Sequence, residues 1–351
     1  MKDGRHLTLG IETSCDETAA AVLADGHVIL SNVISSQIDV HRIFGGVVPE
    51  IASRHHLKNL NPVFAAALGE AGIALQEVDE IAVAPGPGLA GALLMGTAFA
   101  KAVAFAAEKP LIAVHHIQAH IMANLIEHPE LEPPFMALVV SGGHTHLIGV
   151  EGCNRFRIWG KTRDDAAGEA FDKVARVLEL GYPGGPRIDE AARLGDPDAV
   201  PFKRVYLEKG SLDFSFSGIK TGVLNYLHTQ KQRGVPVNVR DVAAGFQMAV
   251  VEVLVEKAMM ALEQSGYGKL ALAGGVASNS LLREMLQAAS NAKNIELYIP
   301  SPVLCTDNAA MVACAAYHKQ RLGLYSDLYL DVWPGLSIET GLHLLDAQQR
   351  N

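Results

Sequence analysis

The chain has 351 residues, 49% of them hydrophobic and 19% charged, which excludes a disordered chain and is long enough for two domains with separate cores. The formal net charge of -9 predicts that the molecule as a whole repels nucleic acid, so an RNA partner would require a local basic patch or a basic helper subunit. The four cysteines contain no C-x-x-C pair and the first residues contain no apolar leader segment, so we expect a protein of the reducing cytoplasm.

The N-terminal part of the chain predicts a β-meander. Residues 7–31, "LTLGIETSCDETAAAVLADGHVILS", contain an apolar strand, a turn rich in Thr, Ser and Asp, a second strand and, after "ADG", a third strand. Asp16 and Glu17 lie in the first turn. Turns of this kind expose backbone N–H groups that can hold a phosphate, so this turn is a candidate ligand site.

The most apolar stretch of the chain is "GLAGALLMGTAFAKAVAFAA", residues 88–107. Its length would allow a membrane span, but Lys101 interrupts it and its many glycines and alanines suit close helix packing. The sequence therefore predicts a buried helix in a soluble protein that does not bind membranes.

The next motif, "HHIQAH", places His116 and His120 one helical turn apart, the spacing at which a helix offers two imidazoles to one metal ion. A zincin protease needs a glutamate directly after the first histidine to activate water, and Ile117 occupies that position. The motif thus argues against peptidase chemistry. From spacing alone, two ordinary polar residues at a helix start are an alternative to a metal site.

A second meander follows in residues 135–160, "FMALVVSGGHTHLIGVEGCNRFRIWG", with a Gly-rich turn at residues 141–144. Two α/β halves that each open with such a hairpin predict a duplicated fold, and ligands in such folds bind where strand ends meet turns. Two unrelated α/β domains are the alternative. Gly-rich turns such as the one at residues 141–144 often use positive φ, which β-branched residues adopt poorly.

Farther along, "AAGEAFDKVARVLEL" predicts a helix, whereas "GYPGGPRIDE" is so rich in Gly and Pro that it predicts a loop. In "KLALAGGVASNSLLREML" a strand leads through two glycines to a helix capped by Ser278 or Asn279, which is a third candidate nucleotide-binding turn. Two hairpin turns followed by such a loop occur in this order in the actin-like ATPase fold, and no Walker or dinucleotide-binding motif is present.

Asp307, in "CTDNAAMVACAAYHK", is predicted at the N-cap of a helix, and capping alone would explain it. Together with His116 and His120 it could supply two imidazoles and one carboxylate, a ligand set that suits Fe(II) or Zn(II). Spacing alone does not decide between these roles.

Eight motifs between about residues 8 and 335 resemble, in order, those of the TsaD (Gcp/YgjD) family of tRNA N6-adenosine threonylcarbamoyltransferases. The residues of these motifs are similar to those of bacterial rather than archaeal members, although His146 stands where a glutamine is expected. The motifs are "GIETSCDET", "HHIQAH", "LVVSGGHTHL", "GEAFDKVAR", "GYPGGP", "FSFSGIKT", "AGGVASNS" and "TDNAAMVA".

The resemblance implies an α/β protein with the actin-like ATPase (ASKHA) fold, two duplicated α/β domains around a central cleft. We expect a first domain at residues 1–130, with residues 325–345 packing back on it, and a second domain at residues 131–324. The implied reaction transfers the threonylcarbamoyl group from threonylcarbamoyl-AMP to N6 of the adenosine just 3′ of the anticodon, in tRNAs that read codons beginning with A.

The resemblance also implies roles for particular residues. One Fe(II) ion, or Zn(II) in its place, is expected on His116, His120 and Asp307. Asp16 and Glu17 are candidates for the chemistry near the phosphates. ATP or an adenylate is expected in the cleft, in contact with Val139, Val140, Ser141, Gly142, Gly143, Asp172, Gly185, Asp189 and Asn279.

The resemblance finally implies partners and a location. Bacterial relatives work in the cytoplasm with a TsaB-like paralogue, which pairs through the N-terminal domain, and with a small TsaE-like ATPase. Two functions of other classes are alternatives: a small-molecule kinase with the same fold, and a catalytically silent partner subunit.

Overall fold

The computed structural model describes residues 4–346, and this range contains ten β-strands and twelve α-helices. The strands are β1 Leu7–Glu12, β2 Glu17–Ala24, β3 Val28–Ser36, β4 Glu80–Gly86, β5 Leu111–His115, β6 Phe135–Val140, β7 Thr145–Gly152, β8 Arg155–Lys161, β9 Lys269–Ala273 and β10 Glu296–Tyr298. The helices are α1 Ile38–Arg42, α2 Pro49–Ala71, α3 Ala90–Ala107, α4 His116–Met122, α5 Asn124–Glu127, α6 Ala167–Val177, α7 Gly184–Ala192, α8 Ser217–Arg233, α9 Val239–Ser265, α10 Ser280–Lys293, α11 Pro302–Cys305 and α12 Ala309–Gln320. Short 3-10 helices lie at Leu75–Glu77, Gly275–Ser278 and Leu342–Leu344.

The first compact unit contains a five-stranded sheet with the order β3-β2-β1-β4-β5. Its first three strands form the predicted antiparallel meander, and β4 and β5 continue the sheet in parallel with β1. Every residue of β1 and of β4 is buried, because helices cover the middle of the sheet on both faces.

The second compact unit contains a sheet with the order β8-β7-β6-β9-β10, which repeats the order of the first sheet strand for strand. Again an antiparallel hairpin, β6-β7, is followed by two strands that run parallel to its first strand. The repeated topology bears out the predicted duplication and the mixed α/β fold class.

The boundary of the first unit differs from the prediction. Within the described residues, the unit includes residues 4–133, the segment Gly152–Phe156 and residues 303–346, whereas the sequence predicted residues 303–324 in the second domain. The reason is that α12 packs across β1, and the two backbones meet at Gly10, where an added Cβ would lie 2.3 Å from the Ala309 carbonyl oxygen. Such a contact between distant segments has no local signal in the sequence.

Helix α3, predicted as a buried helix, buries only one face. Its small residues pack against β4 and α2, but 33% of the helix is buried, and Leu94 and Phe105 are exposed. In length and composition it is the one helix of the described residues that could cross a membrane, which by itself is weak evidence for a span.

The segment "GYPGGPRIDE", predicted as a loop, instead leads into helix α7. Pro183 is the N-cap residue, and Pro186 lies in the first helical turn, where an N–H group has no partner within the helix. The Gly184 N–H is satisfied from outside the helix, since it donates to Asp172 Oδ1 at 2.7 Å. The prolines therefore start this helix rather than prevent it.

Candidate functional site

His116, His120 and Asp307 lie together in the first unit, with one potential ligand atom of each within 4.8 Å of the others. Asp307 Oδ1 lies 3.1 Å from His120 Nε2 and 3.7 Å from His116 Nε2. Both imidazoles are buried, and although His120 Nε2 lies within ion-pair distance of Asp307, neither ring nitrogen of His120 makes a well-directed hydrogen bond to any residue between 4 and 346. Buried nitrogens that make no hydrogen bond are costly unless they bind a ligand, so this group fits a metal ion.

Asp307 is not the cap of helix α12, contrary to the prediction. Asn308 is the N-cap residue, and its Oδ1 accepts a hydrogen bond from the Met311 N–H at 3.0 Å. The Asp307 carboxylate is therefore not needed for capping, which removes the simplest alternative explanation for its position beside the two histidines.

Glu12, which the sequence analysis overlooked, holds His116 from its other side. Its Oε2 lies 3.3 Å from His116 Nδ1, and the Ser14 hydroxyl lies 3.2 Å from the same nitrogen. Burial alone would lower the pKa of His116, but the carboxylates of Glu12 and Asp307 raise it to about 9. A carboxylate on Nδ1 orients the ring so that Nε2 faces Asp307, the arrangement common behind metal-binding histidines.

Asp16, predicted for the chemistry, ends the turn that follows β1, whereas Glu17, also predicted to lie in that turn, is the first residue of strand β2. Burial of its carboxyl group raises the pKa of Glu17 well above its usual value, and the carboxylates of Asp16 and Asp307 raise it further. The Asp307 carboxylate thus raises the pKa of both Glu17 and His116. Whether either carboxylate takes part in catalysis stays a prediction.

Buried His56 anchors this acidic turn to helix α2. Its Nε2 lies 2.9 Å from the Cys15 carbonyl oxygen, which can only accept, so Nε2 carries the proton. Its Nδ1 therefore accepts from the Thr18 hydroxyl at 2.8 Å. Burial lowers the pKa of His56, which is consistent with this neutral form. No local pattern in the sequence distinguished this residue.

The predicted adenylate contacts Val139, Val140, Ser141, Gly142 and Gly143 lie at the end of β6 and in the turn to β7, in the second unit. The two valines are buried, and the two glycines are exposed, with nothing within 4 Å of a Cβ added to either. Neither glycine has a positive φ, so the expectation of a left-handed turn is wrong. Their backbone is open to a ligand without conformational strain.

The elements around this turn form a closed ring of contacts within the second unit. Helix α6 begins against the turn, since the Gly168 N–H donates to the Ser141 carbonyl oxygen at 3.2 Å. The loop after β9 touches it from another side, because a Cβ on Gly274 would lie 2.5 Å from the Val140 carbonyl oxygen. Asp172 on α6 accepts a hydrogen bond from the Gly184 N–H at the start of α7, next to Gly185.

The last link of the ring joins α7 to the loop that precedes α10. Asp189 on α7 and Asn279 both bind the side chain of Gln247, which lies between them on α9. The Asn279 side chain also caps α10 as predicted, because its Oδ1 accepts from the Leu282 N–H at 3.0 Å. All nine predicted adenylate contacts therefore lie on elements of one ring.

The fold and these two groups of residues place the chain among proteins with the actin-like ATPase fold. HypF of T. kodakarensis superposes with a TM-score of 0.61 at 15% identity, covering 91% of this chain and 48% of HypF. Component A of the (R)-2-hydroxyglutaryl-CoA dehydratase of Acidaminococcus fermentans superposes with a TM-score of 0.54 at 17% identity, covering 90% and 99% of the two chains. At these identities the likeness concerns the fold alone.

The sequence comparisons identify the family. The family model for TsaD, tRNA N6-adenosine threonylcarbamoyltransferase, matches residues 28–314. Proteins of that name from Clostridium beijerinckii and Moorella thermoacetica are each 54% identical to the chain, over 95% and 94% of its length and over 98% and 96% of their own. The chain belongs to the TsaD family of transferases.

Proposed function

We propose that the protein transfers the threonylcarbamoyl group from threonylcarbamoyl-AMP to N6 of the adenosine just 3′ of the anticodon in tRNAs that read codons beginning with A. The main support is family membership, with relatives more than half identical over nearly the whole chain. The ring in the second unit supports the donor assignment, because its exposed glycine turn suits a phosphate and its polar residues suit a nucleoside.

In the proposed reaction the N6 amine attacks the carbonyl carbon of the threonylcarbamoyl group. The bond between that carbon and the phosphate oxygen breaks, AMP leaves with the electron pair, and the amine loses one proton. An exocyclic adenine amine is a weak nucleophile, so the protein must orient both reactants, a contribution of up to roughly 7–11 kcal/mol in well-aligned systems. Backbone amides of Gly142 and Gly143 would stabilise the charge that develops on the departing phosphate, since the Ser141 N–H already donates to the His144 carbonyl oxygen at 2.8 Å. No acyl-enzyme is needed, since the donor already carries an activated acyl group.

His116, His120 and Asp307 would hold one metal ion, Fe(II) or in its place Zn(II), because two imidazoles and one carboxylate suit both ions. When bound, such an ion would supply a Lewis acid. Glu12 would keep the His116 ring oriented, and His56 would keep the acidic turn in place. Asp16 and Glu17 are the proposed chemical groups of that turn.

Partners and location follow from the same family. We infer a cytoplasmic protein that works with a TsaB-like paralogue and a TsaE-like ATPase. The exposed apolar residues Leu57, Leu94 and Phe105 on α2 and α3 support a protein partner on the first unit. A net charge of -9 supports a contribution of partner proteins to tRNA binding.

The test is nucleoside analysis of tRNA after incubation with the purified protein, threonylcarbamoyl-AMP and partner proteins of these two kinds. We expect threonylcarbamoyladenosine in tRNAs that read codons beginning with A, and none when the protein is omitted. A parallel reaction with ATP and small hydroxy or carboxylate acceptors tests the kinase alternative. Phosphorylated acceptor without any modified tRNA would overturn the proposal.

A further inference from the structure

Gln247 is a polar side chain in the middle of helix α9, and only 3% of it is exposed. Its neighbours in the helix are mostly buried apolar residues, among them Phe246 and Val250. Burying an amide in such surroundings is costly unless all its hydrogen bonds are made. The position therefore requires an explanation in terms of what the amide binds.

The contacts of Gln247 fix the orientation of its amide. Its Nε2 lies 3.2 Å from Asp189 Oδ1, and its Oε1 lies 3.1 Å from Asn279 Nδ2. The Asn279 Oδ1 accepts from a backbone N–H, so the Asn279 amide group must point its NH₂ at Gln247. Each end of the Gln247 amide thus has one compatible partner, and the two partners belong to different elements.

Asp189 is held by two further donors. The Ser280 hydroxyl donates to Oδ1 at 2.7 Å, and Arg193 Nη2 donates to Oδ2 at 2.8 Å. A carboxylate offers about four acceptor positions, so three donors leave one position for a ligand. The Asn279 NH₂ has two N–H groups and uses one for Gln247, which leaves one donor.

The remaining acceptor and the remaining donor match a ribose hydroxyl, which donates to one group and accepts from another. Acidic side chains bind ribose hydroxyls in this way in other nucleotide-binding folds. We propose that Gln247 is a positioning residue for the nucleotide: it holds Asp189 and Asn279 in the arrangement that binds the ribose of the adenylate. The inference rests on the proposed function, since that function places an adenylate in this ring.

The first experiment compares Gln247→Met with the unchanged protein and with Val253→Ala, a matched control. Methionine has a similar volume but cannot make these hydrogen bonds, whereas Val253 is a fully buried residue of the same helix whose side chain has no hydrogen-bonding group. The readouts are AMP affinity by calorimetry, KM and kcat for the donor, and the melting temperature.

We expect Gln247→Met to weaken AMP binding about tenfold or more and to raise KM by a similar factor, because two buried polar groups lose a partner. We expect kcat to change by less than about threefold, since the ribose is remote from the reacting carbonyl. Val253→Ala lowers the melting temperature without changing AMP affinity. A folded Gln247→Met protein with unchanged AMP affinity and KM would overturn the inference.

A second variant pair keeps the test decisive if the first variant folds poorly. Gln247→Glu places a second carboxylate beside that of Asp189. Adding Asp189→Asn gives residue 189 an NH₂ group that can donate to the carboxylate at position 247. We expect the double variant to melt at a higher temperature than Gln247→Glu alone yet to bind AMP weakly, because residue 189 no longer offers a carboxylate to the ribose. Full AMP affinity in the double variant, or no recovery of its melting temperature, would overturn the inference.

The outcome for the proposed function is separate. If the unchanged protein neither binds AMP nor modifies tRNA, the proposed function fails. If it does both and Gln247→Met does so equally well, only the role of Gln247 fails.

Discussion

The turn after β1 and the turn after β6 occupy equivalent places in two sheets of the same topology, yet they differ in chemistry. The first turn is flanked by buried side chains, including Glu12, Ser14 and Asp16, and it lies beside two histidines. The second turn exposes the backbone of Gly142 and Gly143 and has no carboxylate of its own. The two turns thus share one place in the sheet topology, but the first presents buried side chains and the second presents exposed backbone.

The two turns also differ in which groups could bind a ligand. Around the first turn these groups are side chains from three segments of the chain, so a single substitution there changes the charge of the site as well as its shape. Around the second turn, backbone amides are expected to bind the ligand. A substitution cannot remove a backbone amide, so only a larger side chain can keep the ligand away from it. Substitutions at the two turns test this difference.

Replacing both His116 and His120 with alanine should reduce bound iron or zinc from about one ion per chain to almost none, because Asp307 alone cannot hold the ion. Elemental analysis after dialysis measures this. His343→Ala, which removes an exposed histidine of the same unit, serves as the control and should leave the metal content unchanged. Full metal content in the double variant would refute the metal assignment.

Gly143→Val should lower single-turnover transfer onto tRNA by about a hundredfold or more, since loss of one preorganised donor costs about 2.7–4 kcal/mol in other enzymes. A Cβ added at Gly143 has no protein atom within 4 Å apart from its chain neighbours, and the φ of Gly143 is not positive, so the fold should tolerate valine. The melting temperature and metal content should therefore equal those of the unchanged protein. Near-normal transfer by this variant would mean that the adenylate binds elsewhere.

Glu12→Gln should weaken metal binding about 10–100-fold, the usual effect of removing a carboxylate behind a metal-binding histidine. Competition with a chelator measures the affinity. Glu80→Gln is the control, because Glu80 is also a buried carboxylate beside a histidine, His6, at 3.3 Å but outside the group around Asp307. Equal affinity in the Glu12 and Glu80 variants would show that Glu12 does not support the metal ligand.

His146→Gln should reduce the loss of stability in acid. Burial, with a smaller contribution from Lys161, lowers the pKa of His146 to about 4 from its usual 6.5. The unfolded chain therefore takes up the proton first, so stability is complete above pH 6.5 and falls as the pH drops toward 4. The loss amounts to about 2–3 kcal/mol by pH 4.5 and disappears with the histidine.

Denaturant unfolding at pH 7.5 and pH 4.5 measures this effect. His318, in the first unit, has a pKa lowered to about 4 by burial and by Arg321 and His27, so His318→Gln should give a similar gain. An unchanged pH dependence in both variants would contradict the prediction.

The smallest effect concerns peptidase activity, for which we expect none. Ile117 is buried between the two histidines and has no group that could activate water. Incubation of a glycoprotein with highly purified, metal-loaded protein should leave it intact. Cleavage that disappears in His116→Ala would contradict this expectation.

Most local elements of this protein could be predicted from neighbouring residues alone. Apolar runs predicted β1, β6 and β9, and the spacing of His116 and His120 predicted helix α4. A helix cap was predicted at Ser278 or Asn279, and the structure shows that it is Asn279. These features depend on neighbours within a few residues, so periodicity and capping rules are sufficient to find them. Eight short motifs in order were also enough to indicate the family, which the comparisons confirm.

Only the tertiary structure decided which distant residues meet. Helix α12 joins the first unit because Gly10 lets two backbones approach, and this contact joins segments about 300 residues apart in the chain. Asp307 is not a cap because Asn308 takes that role. Glu12 meets His116, and Gln247 meets Asp189 and Asn279, only because the fold brings distant segments together. Such pairs depend on packing between elements, and no local pattern of residues encodes that packing.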